Sequence, residues 1–252
     1  MFGRYHRTLL AAQFGAGGAS GAGGVAGAIE ALAPSGWWKN DDAANPVVNY
    51  GTEGTDGSWP GTGYFRLVEG PDGEMYWDNS GTTTGLQVAS TNYVIGTTGI
   101  TAFYSFKPDT FRTNTYFVHK STEQDYTSFL NANSSLDVYA YNQVGGFYHN
   151  KNWTFSALAT GVWHTALLVL PVGTSWRLYM DSATPATINT TGATTGAQKI
   201  ASAGTLQIAG AGSGTNNAVD GGCANFAMFD RALSVAECET LMGAAIDGGW
   251  TP

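Results

Sequence analysis

From about residue 62 to residue 229 the chain is a succession of short runs rich in β-branched and aromatic residues, cut by turn residues every few positions. They read GYFRLVEG, EMYWD, GLQVAS, GITAFYSFKP, NTYFVHKS, YTSFLNA, SLDVYAYN, GGFYHN, WHTALLVLPV, SWRLYMDS, TLQIAG and ANFAMF. Several alternate with period two, and Pro71-Asp72-Gly73 between the first two is a turn that closes a hairpin. Parallel strands need long crossover connections. No helical segment lies between these runs, so the predicted fold is all-β, an antiparallel sandwich or barrel. The longest apolar run, Ala166 to Leu170, is strand-sized and far below the roughly 20 residues that span a bilayer. No repeat of 20–50 residues stands out.

The chain leaves this pattern at its end, in DGGCANFAMFDRALSVAECETLM from Asp220 to Met242. Phe226 and Met228 share one face of a last strand, and Asp230-Arg231 turns the chain. Ser234 stands three residues before Glu237, the spacing of a capping box, with Leu233 and Cys238 placed as its hydrophobic staple. Leu241 and Met242 extend the apolar face of the helix that this predicts. Cys223 and Cys238 are expected as two buried, reduced thiols.

The segment NFAMFDRALSVAECETLM resembles the closing signature of laminin-G-like, concanavalin A-like lectin/glucanase domains. In that family a core strand runs into an Arg-Ala-Leu-Ser turn and a short helix carrying Glu. GITAFYSFKPDT, TYFVHKSTEQDYTSFLN, GVWHTALLVLPVGTSWRLYMDS and TLQIAGAG resemble further strands of the family in the right order, over about residues 62–245. Ser182 stands where the family usually has Gly after Asp181. The resemblance implies a jelly-roll β-sandwich with one short C-terminal helix. The expected division is a Gly-rich arm over 1–60, the sandwich over 61–245 and a tail over 246–252.

The arm rests on GAGGASGAGGVAGA, Gly15 to Ala28, where glycine is costly to order and buries no side chain. One short helical turn is expected before Pro34. Phe2, Tyr5, Phe14, Trp37 and Trp38 are expected as its assembly contacts, because large apolar rings seek a surface to cover them. The basic start MFGRYHRTLLAAQFG has too short an apolar stretch for a cleaved signal, and Gln13 interrupts it.

Composition narrows the function. Charged residues make up 12% of the 252, and net charge is −8 with 11 Lys and Arg. A nucleic-acid partner needs a basic footprint, so none is expected, nor is membrane insertion. Low charge with abundant Thr, Asn, Gly and aromatics suits a virion or extracellular surface. Glycosidases on this fold place carboxylates at alternate strand positions. The two stretches with that period, Asp72-Gly73-Glu74 and Glu123-Gln124-Asp125, lie in a turn and an expected loop, so no catalytic residue is assigned. GAGSGTNN, Gly210 to Asn217, lacks the Lys and helix of a phosphate loop.

No cofactor is expected, save that family members bind Ca2+. Asp78, beside Asn79, and Asp220 are the donors available for it. Tyr126, Tyr141, Tyr148, His149 and Trp153 are the candidate glycan platform, since sugars pack on exposed aromatic faces. Tyr139 and Tyr141 share parity, so the alternative is that this pair faces the core; Trp163 is expected in the core, and His164 as a structural strand residue. The leading expectation is a non-enzymatic bacteriophage virion protein, a decoration or fibre/adhesin subunit. It would form homo-oligomers, bind other virion structural proteins through its arm, and present a surface for a cell-surface glycan. A secreted bacterial carbohydrate-binding module and a glycoside hydrolase are the alternatives.

Overall fold

A computed structural model of the protein describes residues 24–41, 46–59, 66–79, 85–90, 92–93, 95, 98–120, 126–131, 133–141, 148–172, 175–191, 204–210 and 218–252. Among these, fifteen strands and two helices form an antiparallel sandwich. Sheet A joins β12 (Arg177–Met180), β11 (His164–Leu170), β6 (Ile100–Thr110), β15 (Asp220–Phe229), β4 (Met75–Asp78) and β3 (Arg66–Glu69), in that order. Its seventh strand, β1 (Gly36–Trp38), pairs with β15 beyond the end of β4. Sheet B runs β13 (Thr187–Thr191), β10 (Tyr148–Thr154), β9 (Ser135–Tyr141), β8 (Tyr126–Asn131), β7 (Thr113–Lys120), β14 (Leu206–Ile208), β5 (Leu86–Val88) and β2 (Gly57–Ser58).

The continuous apolar run HTALLVL has a simple cause. Every residue of β11 is buried, because sheet A is covered on both faces. Ala166, Leu168 and Leu170 enter the core between the sheets, while Leu167 and Val169 enter a second core beneath the helices. β15 does the same with a twist. Asn225, at φ 51°, marks a bulge that shifts the register between Ala224 and Ala227. The extra residue resets parity, so Cys223 and Phe226 both face the inter-sheet core, with Met228 beside them.

Helix α2 (Val235–Asp247) starts as its sequence requires. Ser234 Oγ accepts from the Glu237 N–H at 3.3 Å, and the Glu237 carboxylate accepts from the Ser234 N–H at 2.8 Å. Leu233, Cys238, Leu241 and Met242 are buried against sheet A. The two thiols are free and buried, and burial with the nearby Asp78 charge pushes Cys223 up to about 12. The expected tail is part of the domain. The helix passes residue 245, and Trp250 folds back, fully buried, against Trp163 at 5.0 Å and Tyr76 at 5.1 Å.

The described part of the expected arm is likewise built into the sandwich. Helix α1 (Val25–Ala31) packs beside α2, and β2 closes the edge of sheet B. Trp37 and Trp38 are both buried, and they point to opposite sides of sheet A because strand residues alternate. Trp59 stacks on Trp77 at 5.1 Å in the inter-sheet core. Trp37 and Trp38, expected as assembly contacts, are thus covered by their own chain. Phe2, Tyr5 and Phe14 lie outside the described residues. Among the described residues, no helix is long and apolar enough to cross a membrane.

Candidate functional site

The aromatic platform expected from the sequence is partly a core. Tyr126 and Trp153 are 1% and 0% exposed and face the other sheet. Register explains this correction. Tyr126 lies opposite Ala140, and Trp153 opposite Leu136, so both occupy inward positions. Tyr141 and Tyr148 stand opposite each other on β9 and β10, with His149 opposite Ala140, but their side chains lie outside the described set. Tyr139, for which the core is the alternative, has the outward parity and is half-buried.

Tyr139 belongs to a feature that only pairing shows. Ser58 lies opposite Gln87, Gln87 opposite Gln207, and Gln207 opposite His119. His119 lies opposite Thr127, and Thr127 opposite Tyr139. Six strands thus place hydroxyl, amide, amide, imidazole, hydroxyl and phenol in one line across the outer face of sheet B. Their chain neighbours Leu86, Val88, Leu206, Ile208, Val118 and Val138 are buried in the core, which fixes the row as outward. Ser58 is exposed, Gln207 nearly covered, and the other four half-buried. Burial lowers the pKa of His119, which favours the neutral ring. The row contains no charged group. The neighbouring outward pair, Asp137 and Asn152, is joined by an amide–carboxylate bond of 2.8 Å.

Cationic side chains are turned inward instead. The Lys120 ammonium is fully buried and donates to the Ser90 carbonyl and, at 2.7 Å, to the Asn92 carbonyl. Lys151 is buried with its ammonium over the Trp176 ring at 5.6 Å, and desolvation lowers its pKa.

The two expected calcium donors stand near one end of β15, where Asp78 opposes Gly222. The Asp220 carboxylate is already held by Arg112 at 3.0 Å and Thr110 at 2.6 Å, and Asp78 is fully buried. Among the described residues, no three His, Cys, Asp or Glu side chains converge as a metal would need. A cation at Asp220 would have to displace a guanidinium.

His164 is structural, as its strand position implied. Its Nδ1 lies 2.5 Å from Asp181 and its Nε2 2.8 Å from the Ala159 carbonyl, so neither ring nitrogen is left to serve a reactant. Asp181, at φ 50°, also accepts from the Thr165 N–H at 2.7 Å. Asp72 and Glu74 sit in the β3–β4 turn, where Asp72 accepts from the Glu74 N–H. Glu123 and Asp125 lie outside the described residues, as does most of the Gly210–Asn217 loop.

The sequence profile of the concanavalin A-like lectin/glucanases superfamily matches residues 78–238, more than half of the chain. The chain belongs to this superfamily. No curated protein matches the sequence. Among solved structures, this superfamily member is similar to the botulinum neurotoxin serotype D binding domain (TM-score 0.60, 12% identity), covering 86% of this chain and 52% of that one. It is similar to the same toxin's ligand binding domain in complex with N-acetylneuraminic acid (TM-score 0.56, 11% identity, 86% and 52% covered). It also resembles domain 4 of AbnA, a GH43 extracellular arabinanase from Geobacillus stearothermophilus, in complex with arabinotriose. That match has a TM-score of 0.55 and 12% identity, and covers 83% of this chain and 98% of that one. The chain spans about half the length of the toxin domains it matches. At these identities the likeness concerns the fold.

The row on sheet B escaped the sequence reading, although a signal for it was present. LQV and LQI each carry one glutamine between two aliphatic residues, an outward polar position on a strand whose other face is buried. Only the register lines up the two glutamines with His119 and Tyr139.

Proposed function

We propose that this superfamily member is a non-enzymatic glycan-binding surface module, which holds a neutral sugar chain across the strands of sheet B. The observation that carries the reading is the register row Ser58, Gln87, Gln207, His119, Thr127 and Tyr139. At about 4.8 Å per strand it extends for roughly 24 Å, room for several linked sugars. A sugar hydroxyl both donates and accepts. Amides, a neutral imidazole and hydroxyls match that need without the desolvation cost that a charge would bring. The Tyr139 ring adds an apolar surface with a polar tip. The arabinotriose complex of a protein with this fold supports the reading.

The setting we propose is the surface of a bacteriophage particle, where the protein serves as a decoration or fibre subunit. Low charge and the glycine-rich stretch from Gly15 favour it over a secreted lectin. Binding is tested by titrating neutral oligosaccharides into the wild type, Tyr139→Phe and Gln87→Ala. Each lost hydrogen bond is worth about 0.5–1.5 kcal/mol, so each variant weakens binding about 2- to 13-fold with an unchanged unfolding midpoint. Undiminished binding by both variants overturns the proposal. For the setting, the full-length protein is expected to sediment as a closed oligomer. A monomer at all concentrations removes the particle subunit and leaves an extracellular lectin.

A further inference from the structure

A second site lies on the opposite side of the sandwich, outside the segment that matches the family. A pocket of about 540 Å³ opens between helix α1 and the chain at 50–52, with Trp37 and Lys39 among its lining residues. That volume falls within the usual range of small-molecule sites. Its walls are tied together. The Tyr50 N–H donates to the Trp37 carbonyl at 2.8 Å, and the Thr52 N–H to the Pro34 carbonyl at 3.0 Å. Asn49 Oδ1 accepts from the N–H groups of Trp37 at 2.8 Å and Gly51 at 2.7 Å. The chains approach so closely that a Cβ on Gly51 would lie 2.5 Å from the Ser35 carbonyl oxygen.

One cationic group in this pocket is without an anionic partner among the described residues. The Lys39 ammonium is held 4.6 Å from the Trp37 ring centre and 4.9 Å from that of Tyr50. It has no carboxylate within ion-pair distance among the described residues, in a chain of net charge −8. Trp37 is 5% exposed and presents its ring face to the ammonium. Tyr50, by contrast, is 51% exposed, an apolar ring at the mouth. Glu30, exposed on the rim, supplies an acceptor.

We propose that this pocket binds a sugar residue bearing a carboxylate, such as a uronic acid or a sialic-type unit. Its carboxylate meets the Lys39 ammonium, its ring lies against Tyr50, and its hydroxyls reach Glu30. The two aromatic rings hold the ammonium in place before the ligand arrives, which reduces the entropy lost on binding. The site is independent of the row on sheet B, and either can fail without the other.

The test follows the eight tryptophan indole N–H signals of the full-length protein by NMR during titration. The probes are glucuronate, its methyl ester, N-acetylneuraminate and acetate. The wild type is expected to bind glucuronate or N-acetylneuraminate at least about tenfold more tightly than the ester, the scale of a charge-assisted contact, and the Trp37 signal is expected to move. Lys39→Met keeps the packed stem and is expected to abolish the preference, while Lys39→Arg retains part of it. Unchanged unfolding midpoints show that both variants are folded. Glu30→Gln is expected to change the acid affinity less than threefold. A large loss there would indicate a zwitterion instead and overturn the sugar assignment. Equal binding of acid and ester, an acid preference that survives Lys39→Met, or acetate binding as well as glucuronate each overturns the proposal. Tyr139→Ala leaves this preference intact if the two sites are separate.

Discussion

Replacing Glu237 by Gln should make stability less dependent on pH, and the size of the effect follows from the geometry. The Glu237 carboxylate accepts from Arg231 through both oxygens, at 2.8 and 3.0 Å, and from the Ser234 N–H at 2.8 Å. Bonding to Arg231, then to the Ser234 backbone, holds its pKa at about 2 against the ordinary 4.5. A difference of about 2.5 units would be worth roughly 3.4 kcal/mol at 1.36 kcal/mol per unit. Both partners are partly open to water, at 40% and 30% exposure, so screening reduces this to about 1–2 kcal/mol. The folded pKa lies below the unfolded one. The contribution is therefore complete above the unfolded value of 4.5 and lost as pH falls toward 2. By pH 3 roughly half or more has gone. A glutamine side chain at this position can still reach the Ser234 N–H, so the variant removes the charge and spares the box. Urea unfolding from pH 3 to pH 7 should show a gap of about 1–2 kcal/mol at pH 7 that narrows on acidification. A gap constant across that range would refute the reasoning, because it would mean that packing and not the carboxylate charge stabilises the corner.

Three further outcomes follow. A chain beginning at Gly61 should lose the fold, as judged by near-UV circular dichroism. The cut removes α1, β1, β2 and the buried Trp37, Trp38 and Trp59, each Trp worth about 3–5 kcal/mol, against a typical total of about 5–15. Lys120→Met should lower stability by about 2–4 kcal/mol in urea titrations, because it leaves the Ser90 and Asn92 carbonyls without their donor; a neutral result would show that water replaces the ammonium. Cys223 and Cys238 should resist iodoacetamide at pH 8 in the folded protein and react on unfolding, since burial raises both thiols; fast native alkylation would contradict their packing.

Local chemistry was legible residue by residue. The Ser234–Glu237 box, the Leu233–Cys238 staple, the Pro71-Asp72-Gly73 turn and the all-apolar β11 all follow from spacing, since each depends on neighbours within a few residues. The functional face was read less well for a definite reason. In YNQVGGFYHNKNW both parities carry aromatic or polar residues, so alternation does not say which side meets the core. The structure turns Trp153 and Lys151 inward, with Lys151 packed on Trp176, a ring that comes from a distant part of the chain.

The sequence by itself therefore determined the class of fold, an antiparallel sandwich closed by a capped helix, because strand alternation, turn chemistry and capping are short-range. Tertiary structure alone decided where the surfaces lie. It drew α1, β1 and β2 out of a glycine-rich, irregular-looking segment, where Trp37 and Trp38 are buried in the two cores and offset part of the entropy lost on ordering the backbone. It also aligned Gln87, Gln207, His119 and Tyr139 from four separate strands into one row. Register is set by the packing of whole sheets, and no local run of residues encodes it.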